Sequence, residues 1–269
     1  MDNWRKYNGT IIPIGPPHIL VTDSDNEIKT LIKSQSAFFA RWVTDFDVSE
    51  ETDFWYIIND SPMVLLDYDS KARNEIRRGL KECSVGLITL DYLLDYGYEI
   101  YAAAFNSYKT DLRPKTEAEF KTELLSETGE WEYWGVIKDG VMIAYCKARI
   151  FKDCCEYYSI KLHPEFLKSR PSEVLIYSMN QSYLNDRGFK YINNGSRSLH
   201  HATNFPSFLI KKFKFRRAYC HLHIIYAPWV FFAVKIIYPF RFMLKYFNNK
   251  FVNKLQVLIK HEEISRSFI

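Results

Sequence analysis

An α/β fold is predicted by three local signals. One is the Asp139-Gly140 pair inside "EYWGVIKDGVMIAYCKARIF", which has the form of a two-residue hairpin turn between two strands. Another is "TEAEFKTELLSE", where Thr116 and Glu119 have the spacing of a helix capping box. The third is the alternation of periods after Leu90, which reads α-α-β-β-β-α-β-α-β.

Ahead of Leu90, residues 1–60 read as short strands and turns around one helix near Asn26–Phe39. "DFWYIIND" (Asp53–Asp60) has the aromatic and β-branched content of a strand. Ser70 is the expected N-cap of a short basic helix from Lys71 to Lys81, in which Arg73 and Arg77 share a face. "SVGLIT" then reads as a strand. From Leu90, "DYLLDYGYEIYAAAFNSYK" is an amphipathic helix, followed by the capped helix and the hairpin. "CCEYYSIKL" is a third strand, Pro171 and Ser172 begin a helix through Asn185, and "KYINN" is a strand. Phe205–Phe213 is a short helix, and "FRRAYCHLHIIYA" a final strand.

The aromatic share of 17% predicts ring-rich packing, with rings available as walls of a pocket or interface. Five cysteines without C-x-x-C spacing, two of them adjacent at Cys154 and Cys155, read as reduced, buried thiols of a cytoplasmic protein. "MDNWRKYNGTIIPIG" lacks the apolar run of a secretory signal. Charge is divided along the chain. Residues 1–186 hold 21 basic and 30 acidic side chains, whereas Arg187 to His261 holds fourteen Lys and Arg and no acid. A basic back of this kind points to an anion, whether a membrane surface, a nucleic acid or a phosphorylated ligand. No RNA- or DNA-binding motif accompanies it.

The element order resembles the GNAT superfamily of N-acyltransferases. Two helices open it, a hairpin runs into a third strand, and a helix follows where that family binds coenzyme A. "FLIKKFKFRRAYCHLHI" resembles the family's closing helix and strand. The basic helix "SKARNEIRRGLK" and the short region ahead resemble the FemAB-type branch, which transfers amino acids from aminoacyl-tRNA to peptidoglycan precursors. The resemblance spans residues 65–226. It implies a GNAT-type acyl-CoA N-acyltransferase fold, with a mixed, mostly antiparallel central sheet flanked by helices, in three segments: an N-terminal partial α/β subdomain (1–89), a GNAT-like domain (90–228) and a basic, aromatic C-terminal helical tail (229–269). It further implies a bacterial, cytoplasmic enzyme, peripheral on the inner face of the membrane. Its donor is acyl-CoA (acetyl-CoA) or aminoacyl-tRNA, the one role implied for nucleic acid. Its acceptor is an amine of a cell-surface sugar, lipid or peptide precursor. Two places depart from the family pattern. The loop that is often Gly-rich reads "HPEFLKSRPSEVL", and Ile210 stands where a tyrosine often serves as general acid. The alternative is a non-catalytic GNAT-like module that binds an anionic membrane or polymer.

Acyl transfer on such a fold needs a base for the amine, a polarised carbonyl and a proton for the leaving group. Glu156 as base, Tyr158 as proton donor and His200 are the catalytic candidates. Asn194, Ser196, Arg197 and Asn204 are candidates for holding substrate, as are Arg73 and Arg77. Lys168, Ser169, Arg170 and Ser172 stand where a helix N-terminus meets the anionic part of a cofactor. Plain structural roles compete with each. Strand alternation sends Glu156 or Tyr158 into the core or to solvent, Arg197 pairs internally while Thr203 or Asn204 caps the next helix, and the basic helix pairs with the acidic front. His200-His201 has no further ligand at suitable spacing, so no metal is expected. In the tail, the longest uncharged run, Ile224–Val234, falls short of the about 20 residues that span a bilayer. Its rings and aliphatic residues alternate with Lys235, Arg241, Lys245, Lys250 and Lys254. That pattern suits an anionic membrane surface, packing on the domain, or a homodimer partner.

Overall fold

The computed structural model describes residues 3–108, 110, 112–199, 204–246 and 249–267. The chain begins with β1 (Trp4–Tyr7), β2 (Thr10–Pro13), α1 (Asp25–Ser34), β3 (Phe39–Val48) and β4 (Trp55–Asn59). Then come α2 (Ser70–Glu82), β5 (Ser84–Ile88), α3 (Leu90–Asn106) and α4 (Glu117–Ser126). Three strands follow, β6 (Glu130–Lys138), β7 (Val141–Ile150) and β8 (Cys154–Leu162). After α5 (Pro171–Asn180) come β9 (Tyr191–Ser196), α6 (Phe205–Phe213) and β10 (Arg216–Tyr226). α7 (Pro228–Ile237), a 3-10 segment (Tyr238–Tyr246) and α8 (Lys250–Arg266) complete the described chain.

Local chemistry sets most of these boundaries. The Ser24 and Glu27 side chains cap α1 reciprocally, and Thr116 and Glu119 do the same for α4. Asp139 and Gly140 both take positive φ, 50° and 81°, which matches a two-residue turn to the twist of β6 and β7. Three expectations shift. α1 stops at Ser34, and Phe39 opens a strand instead of ending the helix. The cap of α2 is Asp69 in place of Ser70: the Asp69 carboxylate accepts the Ala72 N–H at 2.8 Å, so the helix starts one residue earlier. Beyond Asn180 the α5 helix relaxes into a π-helical turn, Gln181–Asp186, whose Gln181 and Asn185 side-chain amides both donate to the Met63 carbonyl.

The chain forms two compact units, which interleave the three segments expected from sequence. One comprises Met1–Ile57, Ser196–Asn204 and Arg217–Ile269. In it β1 and β2 pair antiparallel, β2 and β3 parallel, and β3 and β10 antiparallel. Ile28, Leu31 and Ile32 of α1 form its core with Ala40, Val230, Val234 and Ile259. The other comprises Ile58–Gly195 and Phe205–Arg216. There β5, β6, β7 and β8 pair antiparallel in that order, and β9 joins β8 in parallel. On one side of this sheet, Leu93, Ile100, Tyr101, Phe120 and Leu124 from α3 and α4 pack with Tyr133, Met142 and Tyr145. Each fully buried aliphatic side chain of that kind contributes about 1.5–3 kcal/mol. α5 packs against β5, β6 and β7, and its residues Val174, Leu175 and Ile176 are fully buried. All five cysteines are free and buried.

α2 lies close against the first turn of α5. A Cβ on Gly79 would stand 2.4 Å from Val174 Cγ1 and 3.3 Å from the Arg170 carbonyl oxygen. Replacing a helical glycine by alanine gains about 0.5–1 kcal/mol of propensity, whereas overpacking against a stiff β-branched neighbour costs about 1–3 kcal/mol. The clash wins. Gly79→Ala is expected to lower the melting temperature, and a rise on thermal unfolding would show that α2 yields easily.

Candidate active site

Strands β8 and β9 stay together for three residue pairs: Cys154 with Tyr191, Cys155 with Ile192, and Glu156 with Asn193. Beyond the last pair β8 continues to Leu162 and β9 to Ser196, with no further pairing between them. The opening begins, therefore, at Glu156 and Asn193. A β-bulge marks the same place on the other edge of β8. Lys147 faces Ser159 and Ala148 faces Tyr157, leaving Tyr158 as the extra residue. Bulges of this kind re-aim a side chain and bend the strand.

The two neighbouring tyrosines go to different surroundings. Tyr157 is buried, donates its hydroxyl to Asn180 Oδ1 at 2.9 Å, and touches the rings of Tyr183 and Phe215. Tyr158 is half-buried and meets Trp131 edge-on, with ring centroids 5.1 Å apart. Glu156 stands directly across from Arg149, which stands across from Trp131, so the three side chains share one face of the sheet.

On that face lies a set of charges the sequence reading did not single out. Lys147 is almost fully buried, ion-paired to Glu127, and its ammonium lies 5.4 Å from the Trp131 ring centroid and 5.5 Å from that of Tyr158. Burial pushes the Glu127 carboxyl above its ordinary range, against the pull of Lys147. The Arg149 guanidinium lies over Trp131 at 5.4 Å and donates to the Thr128 carbonyl at 3.4 Å. Gly129, at φ +95°, allows this approach: a Cβ there would stand 3.2 Å from Arg149 Nη2. "YCKARIF" carried a usable signal, because two cations two residues apart in an apolar strand must share a face and be satisfied. Rings, a buried cation and carboxylates together suit a polar group carrying an amine or a carbonyl.

On the α5 side, the first turn of the helix is already engaged. Arg170, the N-cap, is left-handed at φ 61°, and Pro171 follows at N1, where no N–H is offered. Glu173 is buried and bound by Lys212 at 2.7 Å, Ser172 Oγ donates to it at 2.7 Å, and the Arg170 guanidinium is ion-paired to it at 3.7 Å. Glu75 of α2 pairs with both Lys212 and Arg170. Burial raises the Glu173 carboxyl, but Lys212 and Ser172 outweigh burial and hold it below its ordinary value. Ser169 is buried, accepts Lys138 Nζ at 2.7 Å, and offers its carbonyl to the Cys83 thiol. Lys168 is exposed.

The remaining sequence candidates are spread out. Asn194 is half-buried beside the opening, next to Asn193, whose Oδ1 accepts the Gly195 N–H at 2.8 Å in a turn with Gly195 at φ 89°. Arg73 donates to the Leu66 carbonyl at 3.2 Å, and Arg77 is exposed. In the other unit, Arg197 donates to the Asp53 carbonyl at 2.6 Å, and both its guanidinium and that of Arg217 stack on Trp55, at 4.4 and 4.6 Å. Ser196 is half-buried and Asn204 exposed. His200, His201 and Thr203 lie outside the described residues. Glu156 and Tyr158 are thus neighbours along one strand, while Arg73, Arg77 and Arg197 are held by local contacts or face solvent.

No family model matches the chain, and no curated protein matches it. Solved structures do. FemX aligns over 80% of this chain and 81% of its own, with a TM-score of 0.55 and 12% identity. The C-terminal DUF2156 domain of a candidate lysylphosphatidylglycerol synthetase from Agrobacterium fabrum aligns over 82% and 79%, with a TM-score of 0.52 and 13% identity. At these identities the likeness is one of fold. The fold is of the GNAT type and FemAB-like, as the resemblance implied.

Because Glu173 sits below its ordinary value of 4.5, its pairing with Lys212 stabilises the fold above that pH and is lost as pH falls through the lower folded value. Glu173→Gln is accordingly expected to lower the melting temperature at neutral pH and to lower it less at an acid pH below 4.5. An equal drop at both pH values would show that the carboxylate charge is not what holds this turn.

Proposed function

We propose that the chain is an aminoacyltransferase that moves an aminoacyl group onto an amine of a cell-surface polymer or lipid precursor, with Glu156 as base and Tyr158 as acid. The observation that supports this most is the parting of β8 and β9 at Glu156 and Asn193, with the bulge at Tyr158 beside it. In the reaction the acceptor nitrogen attacks the donor carbonyl carbon, its proton passes to Glu156, the C–O bond of the aminoacyl ester breaks, and Tyr158 returns a proton to the leaving oxygen. Lys147 and Arg149 hold the face on which the acceptor rests, and Asn194, half-buried beside the opening, is assigned to the donor carbonyl. The FemAB-like fold and the fold likeness to a candidate lysylphosphatidylglycerol synthetase domain favour an aminoacyl donor. So does the start of α5, where Glu173, Arg170 and the close approach of α2 occupy the place at which coenzyme A would need free N–H groups.

A second reading, a non-catalytic module that binds an anionic polymer or membrane, is favoured by Ile210 in place of the general-acid tyrosine of the GNAT pattern. A thermal-shift comparison of charged tRNA, uncharged tRNA, acetyl-CoA and longer acyl-CoAs identifies the donor: charged tRNA is expected to stabilise the chain and the thioesters are not. With transfer then measured, Glu156→Gln and Tyr158→Phe are each expected to lower turnover by about 10²–10⁴-fold with little change in melting temperature. Unchanged transfer in both variants would remove the two residues from the chemistry, and no transfer from any donor would leave the binding module.

A further inference from the structure

α7 is apolar on two sides. Val230 and Val234, one turn apart, are buried in the core with Ile28, Leu31, Ile32, Ala40 and Ile259. That face alone accounts for the docking of the helix. On the other side Trp229, Phe232 and Ile236 are 64%, 63% and 68% exposed, and the 3-10 segment continues with Phe240, Phe242 and Tyr246, all well exposed. Phe38 meets Trp229 edge-on, with centroids 5.8 Å apart, and extends the patch. Single exposed hydrophobic residues are ordinary, but a contiguous run of large rings marks an interaction surface.

The charged residues carried by α7 and the 3-10 segment are all cations. Lys235 and Arg241 are exposed within the patch, and no Asp or Glu occurs between Arg187 and His261. The first acids after that run are engaged nearby: Glu262 accepts the Tyr226 hydroxyl and pairs with Arg266, and Glu263 pairs with Arg241 and Lys260. A second copy of the chain on the patch would bring these cations against their own kind. An anionic lipid surface instead takes the rings into its headgroup boundary and meets the cations with phosphates. Among the described residues no helix is long and apolar enough to cross a membrane, so a helix of ten residues meets such a surface lying in its plane.

We propose that α7 and the 3-10 segment dock the chain on an anionic lipid surface, with Trp229, Phe232, Ile236 and Phe242 entering the interface and Lys235 meeting lipid phosphate. The docking is independent of whether the chain transfers aminoacyl groups. Sedimentation of the purified full chain with phosphatidylcholine vesicles, with and without phosphatidylglycerol, tests it. The chain is expected to pellet with the anionic vesicles and weakly with the neutral ones. The double variant Phe232→Ser, Ile236→Ser is expected to lower partitioning about tenfold or more at unchanged melting temperature, since both side chains face solvent. Lys235→Glu is expected to weaken anionic binding alone. No pelleting with anionic vesicles, or equal pelleting of the double variant, overturns the proposal. A wild-type dimer that the double variant converts to monomer in light scattering also overturns it, because a second copy then covers the face.

Discussion

Strands β8 and β9 run side by side for three residue pairs and then part, and the chemistry proposed here depends on where they do so. Parallel strands are joined by a crossover, here α5 and its π-helical turn, which fixes the register of β9 from one end only. Past Glu156 and Asn193 nothing continues the ladder, and the bulge at Tyr158 turns β8 at the same level. Backbone groups released from a ladder need other partners, and in the proposed reaction the acceptor or donor would be one. The gap is therefore a property of pairing and register, with the side chains of Glu156, Tyr158 and Asn194 brought to it by position along their strands.

Buried charge frames the opening from both faces of the sheet. On one face Lys147 and Glu127 are nearly enclosed; on the other Glu173, Lys212, Glu75 and Arg170 tie α2, α5 and α6 together. Magnitudes separate these from surface pairs such as Arg113 with Glu119. An exposed pair contributes about 0–1 kcal/mol, whereas removing one partner of a buried pair costs about 3–5 kcal/mol because the other is left uncompensated. Such pairs hold geometry more than they add stability. Around α5 they tie to one another the first-turn side chains that a pyrophosphate would meet, which is one support for the proposed ester-borne aminoacyl donor.

What was legible in the sequence was what neighbours along the chain decide. Thr116 with Glu119 and Asp139 with Gly140 act within a turn, so their helix and hairpin were readable, and the element order after Leu90 followed from periodicity. The Asp69 cap of α2 was missed by one residue because Asp69 and Ser70 are both good caps, and only the helix direction chooses between them. The bulge at Tyr158 was not legible, since nothing in "CCEYYSIKL" says which residue lacks a cross-strand partner. Glu75, Glu173 and Lys212 were invisible for a related reason: their meaning lies in contacts between residues about 40 to 140 positions apart, which single-sequence patterns do not record. Arg73, singled out for its charge, holds the Leu66 carbonyl, while Glu75 two residues later makes the contacts that dock the helix.

Hydrogen–deuterium exchange of the free chain and of the chain with charged tRNA addresses the opening most directly. Slower exchange on adding charged tRNA is predicted in peptides covering residues 156–160 and 193–195, with the first turn of α5 unchanged. Protection confined to the α5 start, with residues 156–160 and 193–195 exchanging as before, would contradict the assignment of the site to the parting of β8 and β9.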